Sequence, residues 1–199
     1  MALSYHVSQI WDIVNKKVLT TFKGHTGSVR SLDVSPDGRL LVTGSFDRSV
    51  RIWKIHDGSS KFLSTEGECY TSVRFSPNSR YVAASNSDNF LRIWDVRSGH
   101  LVGKWKDHEG MIRSVAFSPN GEKLVSGGWE KQMDLKCWDV SPLKVSPRLD
   151  SSENGLLLQN SKQLEFDRQP VSLCIFFFFR INLISSPIIG ICIFYHYLT

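Results

Sequence analysis

Apolar and polar positions alternate in short runs along most of the chain, and the stretch from Val29 to Ile55 sets the pattern. Three hydrophobic segments, Val29–Val34, Leu40–Gly44 and Val50–Ile55, are rich in Val, Ile and Leu and too short for helices, so they read as strands. Asp37-Gly38 separates the first pair of segments, and Phe46-Asp47-Arg48-Ser49 the second pair. An Asp-Gly step between apolar runs marks a hairpin, because the tight turn needs a positive φ that glycine adopts without strain. A weaker fourth run follows Trp53, which makes a four-stranded meander of residues 24–64.

The unit then repeats. Tyr70 to Trp94 reads YTSVRFSPNSRYVAASNSDNFLRIW, and Met111 to Trp138 reads MIRSVAFSPNGEKLVSGGWEKQMDLKCW. A partial copy, QIWDIVNKKVLTTFK, precedes them all. Trp11, Trp53, Trp94 and Trp138 recur at intervals of 42, 41 and 44 residues. A period of about 40–45 residues with four strands per unit, opened by Gly-His and closed by Trp-Asp, is the mark of a propeller blade.

In Gly24-His25, Asp107-His108, Trp11-Asp12, Trp94-Asp95 and Trp138-Asp139, the chain resembles the WD-repeat family over about residues 8–140. The resemblance implies an all-β fold: a partial WD-repeat β-propeller of about three and a half four-stranded antiparallel blades, an open arc with a non-propeller C-terminal tail. The expected divisions are a partial blade at 1–23 (its third and fourth strands), a repeat at 24–64, a degenerate repeat at 65–103 and a repeat at 104–140. A linker at 141–170, expected to be disordered, and an apolar tail at 171–199 follow. Propellers close with about four to eight blades, so an arc of this size leaves apolar blade faces uncovered. The chain therefore reads as a fragment of a larger ring, or as a partial ring that a second chain completes.

The resemblance also assigns a set of polar positions. In the first repeat Trp53, Thr43, His25 and Asp47 are expected to form one hydrogen-bonded chain, because buried polar groups need partners. The second repeat keeps Asp88 and Trp94, but Ala84 replaces the threonine and Ser64-Thr65-Glu66-Gly67-Glu68 replaces Gly-His. It is expected to be the soft blade, held by apolar packing. The third repeat restores His108, Ser126 and Trp138, with Glu130 for the aspartate and a loop about two residues longer at Gln132-Met133-Asp134. That length is expected to displace the carboxylate. Thr, His and Asp are also the residue types of an activated nucleophile. A set repeated from blade to blade is architecture, however, and an enzyme site would appear once. With no phosphate loop, no metal-spaced ligands and no unique nucleophile, neither catalytic residues, a metal nor a cofactor is expected.

Composition adds little to this picture. The formal net charge of +5 is spread among the repeats and reads as solvated turns, so no direct nucleic-acid binding is expected. The four cysteines show no CxxC spacing, which fits a reducing intracellular compartment. Met1–Ile10 lacks the basic start and apolar core of a signal peptide. The end of the chain differs in kind. Ile181–Thr199 carries no formal charge and approaches the length of a membrane span, but Asn182, Ser185, Ser186, Pro187, Gly190 and His196, with Arg180 before them, oppose a spanning helix. Phe-, Ile- and Tyr-rich text without a period is what T-rich DNA encodes, so 171–199 reads as translated non-coding sequence such as a retained intron. A C-terminal anchor and an ordinary apolar strand or helix are the alternatives.

In propellers of this type, the loops before the inner strand and those between the second and third strands share one surface. Carried over by position, the expected partner-binding residues are Arg30, Thr71 and Arg113 from the first set and Phe46, Ser87 and Trp129 from the second. Arginine and large aromatics are enriched at binding hot spots. The order of intact and degenerate repeats, with KKVLTTFKGH, VRSLDVSPDGRLLVTGSFDRSVRIW and RSGHLVGKW, resembles the C-terminal propeller of fungal Tup-type, Groucho-like transcriptional corepressors. That resemblance implies a nuclear protein–protein interaction scaffold on which DNA-binding repressors dock. The alternatives are the WD module of a signalling or ubiquitin-ligase adaptor, or a non-functional truncated gene product.

Overall fold

The computed structural model describes residues 6–65, 67–106, 108–129, 134–144, 184–186 and 189–192. Strands β1 (Val7–Asp12) and β2 (Lys17–Lys23) open the chain. The first-repeat sheet is β3 (Val29–Val34), β4 (Leu40–Ser45), β5 (Val50–Lys54) and β6 (Ser60–Ser64). The second-repeat sheet is β7 (Tyr70–Phe75), β8 (Tyr81–Asn86), β9 (Phe90–Asp95) and β10 (Leu101–Lys106). The third is β11 (Met111–Phe117), β12 (Lys123–Trp129) and β13 (Asp134–Asp139), followed by a single 3-10 turn, Ser141–Lys144. Every repeat sheet is an antiparallel meander in chain order.

The first- and second-repeat sheets are buried on both faces, and the period of two along a strand explains how. Leu41 and Trp53 of the first repeat join Ile10 and Phe22 of the N-terminal strands, together with Leu32 and Val34. Their chain neighbours Val42 and Ile52 point the other way, into a core with Tyr70, Val73, Val82 and Trp94 of the second repeat. The second repeat divides in the same manner. Ala83, Leu91, Ile93 and Trp105 face Ile112, Val115, Leu124 and Trp138 of the third. Successive strand residues point to opposite faces, so unbroken Val/Ile/Leu runs are what a strand between two neighbours requires. These three cores join the sheets one after another into an unclosed series.

The hairpin joining the inner two strands uses one recipe three times. In Ser35-Pro36-Asp37-Gly38, the Ser35 hydroxyl donates to the Asp37 carboxylate and accepts from the Leu40 amide at 2.9 Å, while the Gly38 amide bonds the Ser35 carbonyl at 2.8 Å. Ser76 with Asn78, and Ser118 with Asn120, repeat it, the hydroxyls accepting from Tyr81 and Lys123 amides at 2.9 Å. The fourth turn residue is left-handed in all three, at φ +73° for Gly38, +59° for Ser79 and +68° for Gly121. Sequence analysis found the glycine but not the serine, whose side chain closes the turn from inside.

Three features depart from the expected divisions. The boundary placed at 103 falls inside β10, whose register pairs Lys104 with Arg92 and Lys106 with Phe90. The strand continues because Trp105 is buried against Trp138, with ring centroids 5.8 Å apart. Packing also continues past 140: after Asp139 the chain enters the 3-10 turn and buries Leu143 beside Tyr81. Finally, β14 (Ile184–Ser186) and β15 (Ile189–Cys192) come from the 171–199 segment, where the sequence carries no propeller period. They extend the N-terminal sheet to the order β14-β15-β1-β2, on the β1 edge. The remainder of 141–170 and of 171–199 lies outside the described residues. No helix among the described residues is long and apolar enough to cross a membrane.

The spacing between neighbouring sheets is set by small residues at their contact. A methyl group on Gly44 would lie 2.8 Å from Val73 Cγ1 and 3.1 Å from Tyr70 Cβ, neither of which can swing away. Gly44→Ala is therefore expected to destabilise the chain by about 1–3 kcal/mol through overpacking. A chemical denaturation midpoint equal to the parent's would show that the two sheets have slack here.

Candidate functional site

Two sets of residues lie toward one end of the repeat sheets: a buried polar chain beneath the turns and an exposed rim above it. The buried chain is complete in the first repeat. Trp53 Nε1 donates to Thr43 Oγ1 at 2.8 Å, Thr43 Oγ1 meets His25 Nε2 at 2.6 Å, and His25 Nδ1 meets Asp47 Oδ2 at 2.7 Å. One protonation pattern satisfies every link. The indole donates to the hydroxyl, the hydroxyl donates to Nε2, and Nδ1–H donates to the carboxylate. Asp47 also accepts from the Thr26 amide at 2.9 Å, the Ser49 amide at 3.0 Å and the Ser49 hydroxyl at 2.6 Å, which ties the loop before β3 to the β4–β5 turn.

The electrostatics follow from burial. Only 1% of the His25 side chain and 9% of the Asp47 side chain is exposed. Burial pushes the His25 pKa below its ordinary value, overcoming the opposing pull of Asp47. For Asp47, burial pushes upward, but hydrogen bonds from Ser49, His25 and Thr26 prevail and bring it down to about 2. Thr43 is fully buried and its hydroxyl is committed on both sides. That geometry locks the loop before β3 against the β4–β5 turn.

The second repeat solves the same problem with different chemistry. Ala84 offers no hydroxyl, and Asp88 is held instead by Arg92, with Nη2 to Oδ2 at 2.7 Å and Nη1 to Oδ1 at 3.2 Å. Arg92 is 4% exposed and Asp88 is partly buried, so a buried guanidinium meets a half-buried carboxylate. The loop backbone at Gly67 (φ +88°) presses onto this cluster, close enough that a Cβ would sit 2.9 Å from Asp88 Oδ2. Arg92 was not among the residues expected at this site. A cation precedes the tryptophan by two positions in every repeat (Arg51, Arg92, Lys136), and that column was the available signal. Arg51 instead stacks 3.9 Å from the Phe62 ring centre. The blade expected to be soft is thus clamped by an ion pair and packed from both sides, with Trp94 edge-on to Tyr70.

In the third repeat, Trp138 Nε1 donates to Ser126 Oγ at 2.8 Å and His108 Nε2 meets the same oxygen at 2.7 Å. Glu130 and the longer loop at 130–133 lie outside the described residues.

On the rim, Arg30 lies over the Phe46 ring at 4.8 Å, and Phe46 is 44% exposed. Arg113 is exposed on β11, and Trp129 ends β12. Thr71 is engaged within the structure: its hydroxyl bonds the Ile112 carbonyl of the next sheet and the Ser85 hydroxyl. Ser87 donates to Glu68 at 3.3 Å. Cys69 Sγ to the Phe46 carbonyl (3.6 Å) and Asn89 Nδ2 to the Glu109 carbonyl (3.0 Å) tie neighbouring loops together, so the rim is continuous across the repeats.

Thr43→Val removes the hydroxyl that both Trp53 and His25 use, leaving two buried ring nitrogens unsatisfied. The expected cost is about 1–3 kcal/mol by denaturant titration, and an unaltered midpoint would mean that the chain of bonds adds nothing to stability. Acid should act through the same residues. Because folding depresses both pKa values, stability is full above the unfolded values of 6.5 and 3.8 and declines below them, first through His25 and then, toward pH 2, through Asp47. The melting temperature is expected to fall between pH 7 and pH 5, and to fall less in His25→Gln; equal slopes for the two proteins would assign the pH dependence to other groups.

Comparison with known proteins places this geometry in a family. The family described as WD domain, G-beta repeat matches residues 16–54, 60–95 and 99–139, which is more than half of the chain. Nuclear distribution protein PAC1-2 of Uncinocarpus reesii is 30% identical over 155 residues, covering 67% of this chain and 33% of its own length. Protein hir1 of Emericella nidulans is 29% identical over 158 residues (77% of this chain, 12% of its own length). Protein groucho of Drosophila melanogaster is 41% identical over 49 residues (25% and 7%). The chain spans a third or less of each of these relatives. Three matched repeats, each closing on a tryptophan seated between stacked antiparallel sheets, make this chain a member of the WD-repeat family.

Proposed function

We propose that the chain is part of a protein-docking platform acting in transcriptional repression, and that Arg30 and Phe46 form its principal contact on the rim. The observation that carries this reading is the Arg30–Phe46 pair, a partly exposed cation held 4.8 Å over a ring that is 44% exposed. An aromatic kept at the surface beside an arginine is the composition of a binding hot spot. Arg113 and Ser87 extend the same rim, and the position of Trp129 at the end of β12 supports including it with them. Thr71 contributes by fixing the loop that presents them. The partners are other proteins, DNA-binding repressors first, in the nucleus. Support for repression in particular comes from the Tup- and Groucho-like order of repeats and from the likeness to protein groucho.

A second reading has its own support. The likeness to nuclear distribution protein PAC1-2 and to autophagy-related protein 16 of Arabidopsis thaliana extends over 67% and 74% of this chain, more than the 25% shared with protein groucho. On that reading the repeats belong to an adaptor outside transcription, and the rim is used in the same way.

Tethering the chain to a promoter through a heterologous DNA-binding domain separates the two. Reporter output should fall, and Arg30→Glu with Phe46→Ala should restore it while leaving the melting temperature unchanged. Absence of repression by the parent chain would dismiss the transcriptional role. Repression that survives the double substitution would dismiss the contact.

A further inference from the structure

Serine precedes proline at five described positions, and among the four between Ser35 and Ser141 the structure treats one differently. Ser35 and Ser76 are 1% and 2% exposed, and the hydroxyls of Ser35, Ser76 and Ser118 are all bound inside hairpin turns. Ser141 is partly exposed, and its hydroxyl donates to the Asp139 carboxylate at 2.6 Å on the solvent side. The residue three positions on also differs: Gly38, Ser79 and Gly121 in the turns, Lys144 after Ser141. Kinases directed by proline at the next position also favour, in one large group, a basic residue two places further. We propose that Ser141 is the target of a proline-directed serine/threonine kinase, and that the phosphate releases the Ser141–Lys144 turn from the third-repeat sheet.

The transfer itself is ordinary. Ser141 Oγ attacks the γ-phosphorus of a nucleoside triphosphate, the Oγ–P bond forms as the bond to the β,γ-bridging oxygen breaks, and nucleoside diphosphate leaves. The hydroxyl proton passes to the kinase's base and then to solvent. Its consequence is local. The Asp139 carboxyl, held below its ordinary pKa by the Ser141 hydroxyl and amide, is ionised at neutral pH. Phosphorylation removes the hydroxyl donor and places a charge of about −2 against that carboxylate. The Ser141 amide bond to the same oxygen, 2.9 Å long, is strained by the repulsion.

What the turn holds makes the change visible. Leu143 is 6% exposed in the core shared by the second and third repeats, its carbonyl accepts from the Tyr81 hydroxyl, and its amide bonds the Val140 carbonyl at 3.1 Å. Val140 is anchored separately, through the Glu122 carbonyl at 2.8 Å. Release therefore begins at Ser141 and uncovers Tyr81 and the flank of the core. A kinase needs its substrate extended, so it acts on the undocked turn, and the phosphate then holds it undocked.

The test treats the full chain with a cyclin-dependent kinase and magnesium ATP, maps phosphate by tandem mass spectrometry and follows amide exchange. Phosphate is expected at Ser141, absent in Ser141→Ala and slower to appear in Lys144→Ala, with loss of exchange protection at Leu143. Ser141→Glu should lose that protection and the neutral Ser141→Gln should keep more of it. Phosphate confined to Ser118 or Ser146 would overturn the site. Phosphate at Ser141 with Leu143 still protected would overturn the release.

Discussion

The first- and second-repeat sheets each have two apolar faces, and neither can be left to water. Leu41 and Val42, adjacent in sequence, serve different cores, as do Ile52 and Trp53. Ala83 and Ala84 do the same one repeat later. A repeat with this pattern is not a stable object on its own, because folding it alone buries one core's worth of contacts too few. Stability is instead a property of neighbours. The large aromatic rings mark where that dependence is greatest: Trp53 against Phe22 and Trp138 against Trp105 each bridge from one sheet to the outer strand of the sheet before.

Burying tryptophan creates the polar problem that the repeats then solve. An indole between two apolar faces carries an N–H that water cannot reach, and an unpaired buried donor is costly. Thr43 and Ser126 accept it, and a histidine completes each hydroxyl's bonding. In the first repeat the histidine in turn orders the turn carboxylate. The second repeat shows that the carboxylate is the part that must be balanced: without a histidine, Asp88 takes a buried guanidinium from its own sheet. The two solutions differ in charge but agree in result, since both fix the turn between the second and third strands of the sheet.

Much of this was legible in the sequence, and the reason is periodicity. Strands, their order and the polar chain of the first repeat all recur at a fixed spacing, so one copy could be checked against another. What escaped notice lacks that property. Arg92 looks like any exposed strand cation until Asp88 is seen beside it, because a column of Arg51, Arg92 and Lys136 does not say which member is paired. Thr71 reads as a rim residue by position, yet its short hydroxyl reaches the Ile112 carbonyl because neighbouring sheets approach closely there. Leu143 follows the last tryptophan in text rich in Pro and Ser, where composition suggests a linker, but one apolar side chain within reach of an open core is enough to draw the chain back. Contacts between sheets are set by spacing in three dimensions, and only their repeated part is written along the chain.

The ties between neighbouring loops, Thr71 among them, also order the rim. Loops at the end of a sheet are ordinarily the mobile part of a fold. Here the loop before β3 is bonded to the following turn through Asp47, and the next loop is bonded to Phe46 through Cys69. Asn89 and Thr71 repeat the link toward the third repeat. Phe46 and Arg30 therefore stand on a base that is already ordered, which lowers the conformational freedom that any contact made there would forfeit. The buried chain and the exposed pair are one device in this respect: the hydrogen bonds beneath the turn hold the geometry in which the ring and the guanidinium face outward together.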